Sequence, residues 1–214
     1  MGSQERRTRE REATRRRILN AARELFASKG YQAVTMREIA RKIEYTPTAI
    51  YFHFKDKEAL LRELCGEDFQ ALAQYLHRIG RIADPIERIR RMGLAYVEFG
   101  LKYPHHYRLQ FLTPSVNPQL EKTAIKKGSP DEDAYAFLQL SVSEAMEAGR
   151  FRPALKDPAL LAQTFWAGVH GVTSLFLSKA PDNWIRWQPV KKVASQMVEV
   201  LLAGSLKATR RTHG

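Results

Sequence analysis

Cysteine is nearly absent: Cys65 is the one thiol in 214 residues. A lone cysteine excludes an internal disulfide framework and leaves no set of thiolates for a structural zinc site. Long apolar runs are also missing, and no run approaches the roughly 20 residues that span a bilayer. The Arg-rich N-terminus is followed by no apolar segment, so it does not read as a secretory signal. No stretch alternates β-branched and polar residues between hairpin turns, which argues against a sheet. Internal repeats, Gly-rich phosphate loops, nucleophile elbows and zincin helices are all lacking. The expectation is therefore no enzyme, no catalytic residue, no cofactor and no metal. The nearest approach to a metal set is His105 and His106 with His77 and Cys65, but adjacent residues on a helix point apart. A reducing, cytoplasmic location fits these absences.

What is present is a globular balance, 44% hydrophobic and 27% charged, in a chain long enough to bury a core without staples. Positive charge is concentrated at one end. Residues 1–55 carry 13 basic and 6 acidic side chains, more than half of the net +12. That excess suits phosphate or an anionic surface, although solubility alone would also be served by it.

The punctuation is helical. Prolines follow capping residues at Thr46-Pro47, Asp84-Pro85, Ser129-Pro130 and Asp157-Pro158, where helices begin. Gly30, Gly80 and Gly149 stand where helices end. Residues 113–131 form the loosest, most polar stretch. A first helix is expected from about Arg9 to Lys29, with Ile18, Ala22, Leu25 and Phe26 on its apolar face. Thr35 and Glu38 have the spacing of a capping box, ahead of a short helix burying Met36, Ile39, Ala40 and Ile43. Thr46 then caps a third helix, and Asp56 a long fourth one with Leu61, Cys65, Phe69, Leu72, Leu76 and Ile79 down one side.

Two short helices joined by a three-residue turn and backed by a longer one read as a helix-turn-helix. The third helix offers Thr46, Thr48, Tyr51 and His53, flanked by Lys55 and Lys57. Short hydroxyls and an aromatic beside lysines suit base edges, thymine methyls and phosphates. Cap formation and packing would explain the same residues without DNA.

The stretch Thr35-Met36-Arg37-Glu38-Ile39-Ala40, followed by Thr46 to Leu61, strongly resembles the TetR family of transcriptional regulators. The Ile-Leu-x-Ala-Ala-x-x-Leu-Phe pattern of helix one belongs to the same match. Tyr96 to Phe111 and Trp166-Ala167-Gly168-Val169-His170-Gly171 resemble a C-terminal subgroup of that family known by a Trp/His-Gly signature. The resemblance implies an all-α chain of about nine helices. It divides into a DNA-binding domain at 12–72, with the helix-turn-helix at 35–54, and a ligand-binding and dimerisation domain at 73–207. The implied function is sequence-specific regulation, most simply ligand-released repression from a palindromic duplex operator by a homodimer, with activation left open. The implied DNA-binding residues are Thr35, Arg37, Tyr45, Thr46, Pro47, Thr48, Tyr51, His53, Lys55 and Lys57. Two positions depart from the pattern: Glu44 and Thr48 stand where glycine is common.

Thirteen of the 21 aromatic residues lie between Tyr96 and Trp187. They either pack the core or line an apolar pocket with a few polar handles. The expected effector is a small apolar or aromatic molecule, held by Phe99, Tyr103, Tyr107, Phe111, Trp166 and His170. Gly168 and Gly171 weaken a helix, which points to close packing or to room for that ligand. The last two helices, about 158–179 and 189–206, are apolar over much of their circumference. Val190, Val193, Met197, Val200 and Leu201, with Gly204, form the expected dimer stripe, widened by Val198 and Leu202. A basic membrane-surface or interaction protein is the rival reading of the Arg-rich first twenty residues. Against it, the apolar face of helix one is narrow and already used by the three-helix motif, so no membrane partner is expected.

Overall fold

Helices in this chain begin where a side chain can take an orphan backbone N–H. The computed structural model describes residues 2–112, 126–182 and 185–207. Among these residues there are nine α-helices and no strand beyond an isolated bridge between Phe151 and Leu206. They are α1 (Ser3–Lys29), α2 (Met36–Lys42), α3 (Pro47–Tyr51), α4 (Lys57–His77), α5 (Pro85–Lys102), α6 (Pro104–Tyr107), α7 (Ala134–Glu147), α8 (Pro158–Lys179) and α9 (Val190–Ser205). A 3-10 turn, Arg78–Arg81, follows α4, and a π-helical turn, Arg108–Leu112, continues α6. Side chains of Phe69 and His77, and residues 113–125 of the expected polar loop, lie outside the described residues.

Most of the expected caps are made. Thr46 accepts from Ala49 N–H at 3.3 Å, Asp56 from Ala59 at 2.6 Å, Asp84 from Ile86 at 3.1 Å and Asp157 from Ala159 at 2.9 Å. Three expectations are corrected. Helix α1 begins at Ser3, six residues before Arg9; straight-chain Gln, Glu and Arg favour helix there, and the Glu5 carboxylate takes the Gly2 N–H at 3.3 Å. The Thr35 box closes on one side only. Thr35 accepts from Glu38 N–H at 3.2 Å, but the Glu38 carboxylate is drawn away to the Lys29 ammonium, a charge-assisted bond that outcompetes a neutral N–H. Ser129-Pro130 starts no helix. The Ser129 carbonyl closes a turn on the Asp133 N–H, and Asp133 itself caps α7 through Tyr135 and Ala136.

The chain divides into two units, the first comprising residues up to 68 with 105–112, the second 69–104 with 126–207 among the described residues. In the first, Ile18, Ala22 and Phe26 of α1 pack with Val34, Ile39, Ala40, Ile50, Phe54, Leu60 and Leu64. Helix α1 stops at Gly30, whose positive φ of 81° suits glycine and whose N–H reaches Phe26 O at 2.9 Å. Beside this core a charged cluster is buried. Arg23 Nε donates to Asp68 Oδ1 at 3.0 Å, its Nη2 pairs with Glu67 at 2.8 Å, and His106 Nδ1 lies 2.7 Å from the same Asp68 oxygen.

In the second unit α5 packs against α7, α8 and α9, and α8 against α7 and α9. Tyr96, Phe99, Val142, Phe165, Val169, Ala194, Val198 and Leu202 are buried there. Val198 and Leu202 thus serve this unit's core and do not widen an outward stripe. Helices α8 and α9 approach closely at Gly168, where an added methyl would stand 2.6 Å from Met197 Sδ and 2.8 Å from Leu201 Cδ1. Close packing accounts for Gly168, whereas Gly171 has nothing within 4 Å. Helix α8, at 22 residues, is long and apolar enough by composition to cross a bilayer, a match that a search for unbroken apolar runs did not anticipate. Its Leu161, Ala162, Phe165, Val169 and Val172 are buried within the fold.

Candidate functional site

The turn between α2 and α3 is tight. Tyr45 N–H bonds to Ala40 O at 2.9 Å, and Glu44 adopts φ 61°. The glycine-like position is therefore left-handed, as expected, at a cost of roughly 1 kcal/mol for a side chain. Pro47 presets the first turn of α3, and Ile50 and Phe54 anchor it in the core. What remains outward is Thr46, Thr48 and Tyr51, with Thr35, Arg37 and Lys55 exposed around them and Tyr45, Pro47, His53 and Lys57 half-buried.

Four of these residues have second engagements. Tyr45 lies under the Arg17 guanidinium, 5.4 Å from its ring centre. Thr46 is both cap and surface. Lys57 Nζ donates to Tyr31 O at 2.9 Å and Val34 O at 2.8 Å, and sits 4.2 Å above the Tyr31 ring. An ammonium has three donors, so Lys57 braces the turn after α1 with two and keeps one for another acceptor. His53 turns its ring edge to Phe52 at 5.6 Å between centroids. Its buried Nδ1 has no hydrogen-bond partner among the described residues. Burial first, then Arg11 and Arg15, pushes its pKa below the ordinary histidine value, so the neutral ring is favoured without an anion.

Phe52 was not among the expected site residues. It is 72% exposed, the most exposed of the large apolar side chains among the described residues, and Tyr51 beside it is 53% exposed. The signal was available: Phe52 stands between Ile50 and Phe54, which anchor this segment in the core, and so is turned outward.

The expected effector residues fall into separate groups. Phe99 on α5 and Tyr103 just past its end pair with centroids 5.2 Å apart, and Tyr107 and Phe111 at 5.0 Å belong to the first unit. Trp166 and His170 face the same space on α8, 6.2 Å apart. Both meet a residue absent from the expected set: Trp166 Nε1 donates to Tyr96 Oη at 3.3 Å, and His170 Nδ1 lies 3.2 Å from the same oxygen. Tyr135 packs 5.8 Å from Trp166. Burial lowers the His170 pKa, which suits a neutral Nδ1 accepting from the Tyr96 hydroxyl. A buried tyrosine hydroxyl requires such a partner, and that requirement was the signal for Tyr96.

Residues 18–64 match the model of bacterial regulatory proteins of the tetR family, and residues 89–201, over half the chain, match the tetracyclin repressor-like C-terminal domain. The chain belongs to the TetR family. The chain is thereby placed among bacterial regulatory proteins. Among curated relatives it is 36% identical over 90 residues to the HTH-type transcriptional regulator UidR of Escherichia coli (strain K12), covering 42% of this chain and 40% of UidR. It is 41% identical over 70 residues to the HTH-type transcriptional repressor Rv1474c of Mycobacterium tuberculosis, covering 33% of this chain and 37% of that one. The chain thus spans about two fifths of the curated relatives it matches. A solved structure of a tetR-family regulatory protein from Rhodococcus RHA1 superposes with a TM-score of 0.69 at 25% identity, over 91% of this chain and 98% of that one. Both of this TetR-family chain's signatures lie inside matched segments: Thr35 to Leu61 in the N-terminal one and Trp166 to Gly171 in the C-terminal one.

Proposed function

We propose that this regulator is a cytoplasmic, ligand-released repressor that binds a pseudo-palindromic duplex as a homodimer. Its DNA-binding domain is 12–72 and its sensing and dimerisation domain 73–207. Thr48 and Tyr51 read bases, Thr46 and Pro47 bring α3 close to the groove, and Thr35, Arg37, Tyr45, His53, Lys55 and Lys57 hold phosphates. The observation that carries this reading is α3 itself: capped by Thr46, pinned by Ile50, and presenting Thr48 and Tyr51 outward. Selection from a random duplex library tests it. Thr48→Ala and Tyr51→Ala should change the selected sequence, while Lys55→Ala should weaken every duplex and lower the salt slope by about one. Three variants that select and bind like wild type would overturn it.

Dimerisation is supported by apolar side chains left outside. On α8, Leu160 is 63% exposed; on α9, Val200 is 57% exposed, and Val190, Val193, Met197 and Leu201 are half-buried. Sedimentation should give about twice the 24.6 kDa chain mass, and Val193→Glu with Met197→Glu should abolish it. For the effector, the Tyr96, Trp166 and His170 cluster offers ring faces and a polar handle to a small apolar or aromatic molecule. Binding to the conformer that fits DNA poorly releases the operator, with coupling of about 1–3 kcal/mol. Operator DNA must weaken effector binding by the same factor, and equal effector affinity with and without operator would exclude release by this route.

A further inference from the structure

The first half of α1 has no packing reason to be where it is. No side chain before Thr14 is even half-buried, and the first core residue is Ile18. Helix without a buried face is marginal in water, yet this segment continues α1 back to Ser3. Two contacts tie it to the recognition motif. Arg11 lies 5.5 Å above the centre of the Phe52 ring, and Arg15, ion-paired to Glu63, lies 4.7 Å above that of Phe54.

Charge along this segment is partly sorted, Arg6, Arg9, Arg16 and Arg17 lying on other faces. Arg7, Arg11 and Arg15 repeat at four-residue intervals and so line one face. Gln4 and Thr8 fall on the same side, whereas Glu5, Glu10 and Glu12 fall off it, Glu10 taking Arg6 at 3.3 Å. Like charges at this spacing repel; Glu63 answers Arg15 within the fold, which leaves Arg7 and Arg11 to be favoured by an anion from outside. Arg11 points that stripe at the most exposed large apolar side chain on the recognition helix. A phenyl ring beside Tyr51 suits a thymine methyl or a sugar face, and a guanidinium stacked on it is delivered to the neighbouring backbone.

We propose that residues 3–17 are a second DNA-contacting element, a helical rail aimed by the Arg11–Phe52 stack along the phosphates outside each half-site, a role that rests on the DNA-reading surface proposed above. Eight residues separate Ser3 from Arg11, about 12 Å of helix, or the rise of three to four base pairs at about 3.4 Å each. Phe52 then both touches DNA and fixes the rail's direction. This differs from a loose basic tail, which would need neither helix nor stack.

The test uses the full chain and the duplex it selects from a random library. The wild-type hydroxyl-radical footprint should extend three to four base pairs beyond each half-site, and trimming those flanks should lower the salt slope by about 0.9 for each phosphate taken out of the rail's reach. Arg7→Ala should lower it likewise on the long duplex and have no effect on the trimmed one. Phe52→Leu, at an exposed position that leaves the fold intact, should shorten the footprint while keeping every arginine. A footprint that ends with the half-sites, or a Phe52→Leu protein that keeps the full flank, would overturn the rail. A library from which nothing is enriched would bring down the DNA-reading surface itself, and the rail with it.

Discussion

Among the described residues each unit buries one arginine, and the two are held differently. Arg23, in the first unit, is secured by Asp68, a carboxylate whose side chain is only 1% exposed. Arg88, in the second unit, donates to the Ser141 hydroxyl at 2.9 Å and pairs with Glu144, whose side chain is 42% exposed. If Arg88 moves, Glu144 can return to water; if Arg23 moves, Asp68 stays buried with only the His106 ring beside it. One unit is thus braced by a charge pair that water cannot replace, and the other carries a charge that can be rearranged at small cost. The first unit resists loss of its buried charge, and the second tolerates it.

The largest expected effect is Arg23→Ala. Leaving Asp68 buried without its guanidinium should cost about 3–5 kcal/mol in urea denaturation. Next comes Cys65, beside this pair, whose thiol is pushed up to about 11 by burial and then by Asp68. Its thiolate population at pH 8 should be about a hundredfold below that of the unfolded chain, read as slow alkylation by iodoacetamide. Because the folded value is raised, the stability it confers is complete below pH 9 and is lost as pH climbs towards 11. Arg88→Ala should cost less than Arg23→Ala, about 1–2 kcal/mol. Equal losses from the two arginines would erase the contrast. The smallest effect is a gain: Glu44→Gly relieves a left-handed side chain and should add about 1 kcal/mol, seen as a higher denaturation midpoint. No gain would mean that the turn is not strained.

Local features of the fold were readable from the sequence because they are settled within a few residues. Thr46, Asp56, Asp84 and Asp157 cap the helices they precede, and Glu44 takes the conformation its place demanded. Expectations failed where a partner from elsewhere intervenes. Glu38 was drawn off by Lys29, nine positions away, and Arg23 and Asp68 meet across 45 residues with no periodic signal. Ser129-Pro130 lost its helix to Asp133, a stronger cap placed just downstream. Thr48 and Tyr51 face outward as their type and spacing suggested, but Phe52 was passed over because an apolar side chain reads as core until its helix is seen to end at Tyr51. Tyr96 was left out of the expected effector set, and its bonds to α8, more than 70 positions on in the case of His170, became visible only with the helices packed.

Trp166 is also a lamp placed at the cluster proposed to hold the effector. Its indole edge donates to Tyr96, its ring lies near His170 and Tyr135, and it is 37% exposed. Emission from an indole shifts with the polarity around it and is quenched by nearby acceptors. With Trp184 and Trp187 changed to phenylalanine, and excitation at the red edge where tyrosine does not absorb, the remaining fluorescence would come from this one indole. A solution of the protein would then report occupancy of the cluster by its colour and brightness, with no label attached and no operator required.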